Sequence, residues 1–431
     1  MMRKKNIFSF IMIAVLILAF TACRSRAPTH GEQASTDDRS SDTTVAQTIE
    51  KQPLSDEENA WIVQNLNEFA FRSTPAVIAV SENSNTLYSP AGLYIALSML
   101  VECADGDTET EILDLLQSVE PGAQLDMGSL LNRNMVFQNK NGRQSVDNSI
   151  WLVDNCEIAD NIRETLAREY GVEYFGLDPQ NPGDMADWAG ERTLGDLPRR
   201  DDPLSDDIAM VIINLLSFKD SWQIPFDEGR TSQDVFTLTG GETCTADYMH
   251  AGAERPFIQS DKFAAAAYNF SSGAKIHFIL PNEGVTQEDL LVDSSVISSA
   301  INYNAADNPY IVSPGRVSYK IPKTSFTSSM ELTEAMQGLG MVSAFDGGFP
   351  SILSPSGSVA VDAIYQDCYF AMDEKGAVAE AKTEIHMTSS AAPPPEEQPL
   401  LLELHLTRPF LFVITSPEGY VTFVGVVNMP D

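Results

Sequence analysis

A chain of 431 residues with 43% hydrophobic and 9% aromatic content has enough apolar material for a large core, in one big domain or two. Its formal charge of −34 and pI near 4.3 speak against nucleic-acid binding and against electrostatic attachment to anionic membranes. Five histidines and five cysteines, with no CxxC, HExxH or paired His/Cys cluster, give no support to a metal site. No nucleophile elbow or Gly-rich phosphate loop is present either, so the residues do not point to an enzyme or to a cofactor.

Arg3, Lys4 and Lys5 precede the apolar run from Ile7 to Phe20, and the small residues Thr21 and Ala22 lead to Cys23. That is the plan of an export signal spanning residues 1–22. Cysteine directly after such a site resembles a bacterial lipobox, in which Cys23 carries the lipid, although Phe20 stands where Leu is usual. Ordinary cleavage with an incidental Cys23 is the alternative, and the run is short for a retained membrane span. Residues 23–54 are rich in Ser, Thr, Asp and Gln and read as a disordered polar tether.

From Ser55 the apolar period turns helical, with Ile62, Leu66, Phe69 and Ala70 on one face. A short strand at residues 85–88 ends before Pro90, and a helix follows with Leu93, Ala96, Leu97 and Leu100 on one stripe. The next helix begins near Asp107 or Thr108 as N-cap, with Glu111 placed for a capping box. Residues 148–152 form a buried strand, and residues 170–175 alternate as another. The apolar run from Ile208 to Phe218 is too hydrophobic for a surface strand and belongs in the middle of a sheet, where Asn214 needs buried partners. Paired strands at residues 264–268 and 275–280, a strand at 317–323, a helix at 332–339 and a C-terminal hairpin at 408–414 and 421–427 complete the reading. Cys103 and Cys368 lie in apolar surroundings and read as buried thiols, while Cys156 and Cys244 carry no spacing signal.

Residues 372–390 stand apart. Ala377, Ala379, Ala381, Thr383, Ile385 and Met387 alternate with Val378, Glu380, Lys382, Glu384, His386 and Thr388, which is the period of a half-buried strand. The composition is rich in Ala, Glu and Lys, which favours a helix, and the Pro393-Pro394-Pro395 run that follows must be extended and exposed. Helix and inserted strand are both open on these grounds, with Gly376 providing a point where the backbone can swing.

The decisive signal is a resemblance. Asp373-Glu374-Lys375-Gly376 before a run of small residues looks like the hinge of a serpin reactive-centre loop. Asn214, Phe218-Lys219, Trp222 and Pro225-Phe226 fall in register with the same family, as do Ser89-Pro90, Ala96-Leu97-Ser98-Met99, Gly106 to Ile112, Leu339-Gly340-Met341 and Pro409 to Phe412. The chain resembles serpins from about residue 56 to 431. The resemblance implies an α+β serpin fold for residues 55–431, with three β-sheets, eight or nine helices and an exposed loop over about 374–400 that can enter the central sheet. It implies hinge residues Glu374, Gly376, Ala377, Ala379, Ala381 and Thr383, and structural shutter and breach residues Ser89, Asn214, Trp222 and Gln366. Gly92 replaces a second shutter serine, and Gln366 replaces the family's histidine, from where it is expected to bridge to Asn214.

The implied activity is suicide inhibition of a serine protease, trapped as an acyl-enzyme while the cleaved loop inserts. Counting along the loop places the scissile bond at Ser390-Ala391, with Met387 to Ser389 as alternatives. Small uncharged residues there suit an elastase-like or subtilisin-like protease. The implied protein is a monomeric, non-catalytic cell-surface lipoprotein held only through Cys23, with simple secretion as the alternative. A non-inhibitory serpin, acting as substrate or binding protein, is the competing function.

Overall fold

A computed structural model describes residues 11–22, 55–81, 85–117, 123–193, 197, 199–200, 202–205, 207–303, 308–355, 357–376 and 400–430. Among these are nine α-helices and three β-sheets. The expected mixed α/β architecture is therefore present.

The central sheet runs Thr324–Glu331, Val359–Met372, Ile11–Ala22, Ile208–Asp220, Gly142–Leu152 and Phe137–Gln138, with Glu173–Gly176 pairing in parallel against Gly142–Leu152. A nine-stranded second sheet carries the C-terminal hairpin Phe410–Thr415 and Val421–Val427, and two short strands at Glu157–Ile158 and Ile352–Leu353 make the third. The helix Pro90–Val101 is buried along its whole length. It is apolar nearly all round, the composition of a helix enclosed by the core rather than lying on it. Ser55 starts the first helix, Asp56–Ala79, with a reciprocal capping box to Glu58.

The strand Ile11–Ala22 lies between Val359–Met372 and Ile208–Asp220, antiparallel to both. Leu16 and Leu18 are buried in the main core, while Ile17 and Ala19 pack on the opposite face with Met185 and Trp188 of the helix Gly183–Thr193. In the full chain, then, the run that reads as an export signal is a sheet strand. The two readings share one cause: a segment apolar on both sides suits a membrane or the middle of a covered sheet equally well. No helix among the described residues is long and apolar enough to cross a membrane.

Several local expectations shift. The helix Gly106–Leu116 is capped by Asp105, not by Asp107 or Thr108. Thr108 donates instead to the Gly347 carbonyl, and Glu111 accepts from the backbone of Val342 and Ser343. Tyr170 ends the helix Asp160–Tyr170 and the strand starts only at Glu173. The helix near residue 332 is the shorter Thr333–Gly338. Cys103, Cys156 and Cys368 are buried free thiols and Cys244 is half-buried, also free.

Candidate functional site: the slot in the central sheet

The slot between Ile208–Asp220 and Val359–Met372 is the space that an extra strand occupies, and its upper end is built around Trp222. The indole is buried and stacked on Phe270 at 4.7 Å, with Tyr268 and Phe226 edge-on at 5.3 Å and 5.7 Å. Its ring N–H donates to the Asp373 carbonyl at 2.8 Å, and its backbone N–H donates to the Lys375 carbonyl at 3.2 Å. The Phe226 N–H reaches the Glu374 carbonyl at 2.9 Å. Thus the hinge is tied to the mouth mainly through its main chain. Gly376, at φ +73°, bridges to Ser221. A Cβ there would stand 2.5 Å from the Trp222 nitrogen and 2.8 Å from the Asp220 carbonyl oxygen, so only glycine fits.

Three carboxylates surround this mouth. Glu374 accepts from Thr231 at 2.7 Å and from Lys323 at 3.0 Å. Burial pushes its pKa up, but these hydrogen bonds outweigh burial and hold it below the ordinary value. Asp373 and Asp220 behave oppositely: burial raises each to about 6, against only partial relief from backbone donors. Lys375 reaches outward to Glu228 at 3.0 Å.

At the centre of the slot Asn214 and Gln366 do not meet. Leu16 is paired with Gln366 on one side and with Asn214 on the other, so a strand separates them. The expected bridge is thus replaced by two outward connections. Gln366 accepts from the Ser89 N–H at 2.8 Å and donates to the Ser89 carbonyl at 3.2 Å. Asn214 donates to Asn148 at 2.7 Å, and Asn148 donates to Asn132 and to the Tyr170 carbonyl. Ser89 caps the buried helix and donates to the Thr422 carbonyl at 3.0 Å. Gly92 has a geometric reason: a Cβ would approach Asn214 Oδ1 to 2.9 Å and Ser89 Oγ to 3.3 Å. The Asn214 Oδ1 is buried and has no hydrogen-bond partner.

Ala377, Ala379, Ala381, Thr383, Ser390, Ala391 and Cys23 lie outside the described residues. Among described residues no group of acidic, His or Cys side chains is disposed to hold a metal. Sequence reasoning missed Lys323, Thr231, Asp220 and Asn148. Each meets its partner across a long stretch of chain, and only Asn148, in its apolar strand, offered a local signal of a buried amide.

Comparison with known proteins agrees with this architecture. The family model described as "Serpin (serine protease inhibitor)" matches residues 64–430. Bovine "Serpin A3-6" is 24% identical over 84% of this chain and 87% of its own length. An uncharacterized serpin-like protein of Thermococcus kodakarensis is 24% identical over 97% of this chain and 98% of its own. Among solved structures, the thermophilic serpin tengpin in the native state superposes with a TM-score of 0.74 at 18% identity, covering 89% of this chain and 97% of tengpin. Thyroxine-binding globulin in complex with thyroxine gives 0.71 at 19%, covering 86% and 99%. The fold, the tied hinge beneath Trp222 and the family match over residues 64–430 together establish that this chain belongs to the serpin family.

Proposed function

We propose that the protein is an inhibitory serpin that traps an elastase-like or subtilisin-like serine protease as a covalent acyl-enzyme. The family is described as serine protease inhibitors, which makes a serine protease the expected partner. The observation that carries the inhibitory reading is the slot itself. It accommodates a complete antiparallel strand, paired on both sides, directly below a hinge whose main chain is already bonded to its mouth.

In this mechanism the protease serine attacks the Ser390-Ala391 bond and forms an ester to Ser390, releasing the amine of Ala391. The loop then enters the slot from Ala377 onward, with Ala377, Ala379, Ala381 and Thr383 on the core face. About thirteen residues at ~3.3 Å each carry the acylated protease roughly 40 Å along the molecule. The intact form is a kinetic trap, and insertion releases the energy stored there. The protein acts as a monomer at the cell surface, anchored by a lipid on Cys23 once residues 1–22 are removed and held off the membrane by the polar tether, residues 23–54.

A non-inhibitory role is the competing reading. It is favoured by Glu380, Lys382 and Glu384, which stand where small residues favour insertion, and by the thyroxine-binding globulin among proteins of the same fold. Incubation with an elastase-type protease separates the two. The inhibitory reading expects a complex that survives denaturing electrophoresis and a released fragment beginning at Ala391 by mass spectrometry. Clean cleavage with no complex would contradict it.

A further inference from the structure

The segment from Ile11 to Ala22 carries two assignments that exclude each other. In the sheet it is registered against Val359–Met372 along its whole length and against Ile208–Asp220 from Ile11 to Thr21, antiparallel to both. Leu16 and Leu18 are 1% and 0% exposed in the main core. Ile17 and Ala19 face the other way, packed with Met185 and Trp188 of the helix Gly183–Thr193. A strand covered on both faces and bonded along both edges is not at the same time open to a membrane or to a processing enzyme.

The end of the strand makes the conflict local. Ala22 is still paired with Val359, and Thr21 with Ala360 and Ile208. Cleavage needs free backbone, so a cut after Ala22 requires this end of the ladder to open first. The fit at the centre is one of shape rather than polarity. Leu16 lies between Asn214 and Gln366, and the buried Asn214 Oδ1 has no hydrogen-bond partner. The segment thus brings hydrocarbon to a place where an amide oxygen lacks a donor, as an occupant selected for another task would.

We propose that the slot is a docking site for the chain's own export segment, Ile11–Ala22, and that this contact is autoinhibitory. A chain that folds before it is processed closes its central sheet with that strand and shelters the bond after Ala22. Removal of residues 1–22 before folding leaves the slot open. The order of cleavage and folding therefore decides between a closed, inactive form and an open one. The inference rests on the inhibitory reading and on residues 1–22 being an export signal. It adds the element that holds activity off until processing.

The test compares the full chain made without export, its Leu18→Asp variant and a chain that begins at Cys23. The shortened chain keeps all of residues 64–430, the span of the serpin match. Aspartate at the fully buried position 18 expels the strand, and residue 18 is absent from the shortened chain, so the change does not alter that body. The full chain is expected to show slow hydrogen exchange over residues 11–22 and a thermal midpoint roughly 10 °C above that of Leu18→Asp. It is expected to form a denaturation-resistant complex with an elastase-type protease roughly a hundredfold more slowly than the chain from Cys23. Leu18→Asp should recover most of that rate. Ile17→Asp should recover much less, because that side chain borders a cavity of about 480 Å³ lined also by Arg199 and Arg200. Fast exchange over residues 11–22, equal rates for the full and shortened chains, or no recovery in Leu18→Asp would overturn the autoinhibitory contact and leave the inhibitory reading standing. No complex from the chain beginning at Cys23 would overturn the inhibitory reading and the switch with it.

Discussion

At the mouth of the slot the hinge is held by main-chain hydrogen bonds to Trp222 and Phe226 and by a carboxylate seated between Thr231 and Lys323. At the centre, Asn214 and Gln366 face each other across an intervening strand and each bonds away from the slot. The mouth thus depends on an aromatic cluster and on titratable groups, and its geometry is set by the hinge itself. The centre depends on neutral amides whose partners lie on either side, so it can be filled or emptied without breaking its own network. On the inhibitory reading proposed above, a sheet that opens needs both: a fixed entrance to set the register and a middle indifferent to which strand occupies it.

The largest break in this comparison is expected from Trp222→Ala. Removing a buried indole stacked on Phe270 should cost about 3–5 kcal/mol in denaturant unfolding and release the hinge. Asn148→Ala tests the centre and is expected to cost about 1–3 kcal/mol, because Asn214 Nδ2 loses its acceptor in a buried site. The hinge should remain attached in that variant, as judged by hydrogen exchange at Trp222 and Phe226.

Titration separates the two regions further. Asp220 and Asp373 bind protons more readily when folded, at about 6 against an ordinary 3.8, so their contribution favours the fold as pH falls from 7 toward 5. Glu374 works in the other direction: its contribution is present above its unfolded value and is lost as pH falls through its lowered folded value. Asp220→Asn together with Asp373→Asn should therefore flatten the profile between pH 4 and 6, read as thermal midpoint against pH. Gln366 cannot titrate, but Gln366→His should give the centre a pH response of its own. Desolvation at this fully buried position lowers the imidazole pKa, so that variant loses stability as pH falls below about 6.5. The smallest effect is expected from Lys323→Ala, below about 1 kcal/mol, because Lys323 is 36% exposed and Glu374 keeps Thr231.

Much of the fold and of the mouth was legible because it is carried by local patterns. The apolar run before Phe218 and the first helix from Ser55 onward follow from hydrophobic periodicity, whereas the place of Trp222 at the mouth was legible only through the serpin resemblance. The ion pairs were not legible. Lys323 with Glu374 and Arg200 with Asp367 join polar residues far apart in the chain, and a charged residue in a strand end or linker carries no period that reveals its partner. Gln366 was found by counting, yet its separation from Asn214 depends on whether the slot is filled, which no local pattern encodes. The run from Ile7 to Phe20 was read as the apolar part of an export signal, and the strand Ile11–Ala22 was not legible there, since lipid and sheet interior select the same side chains.

If the slot receives the protein's own loop, thermal unfolding of a chain that begins at Cys23, which leaves the slot free of Ile11–Ala22, will differ before and after the loop is nicked. Insertion predicts a large upward shift of the midpoint on nicking, with an unchanged fold by circular dichroism. An unchanged or lower midpoint after complete nicking would contradict it.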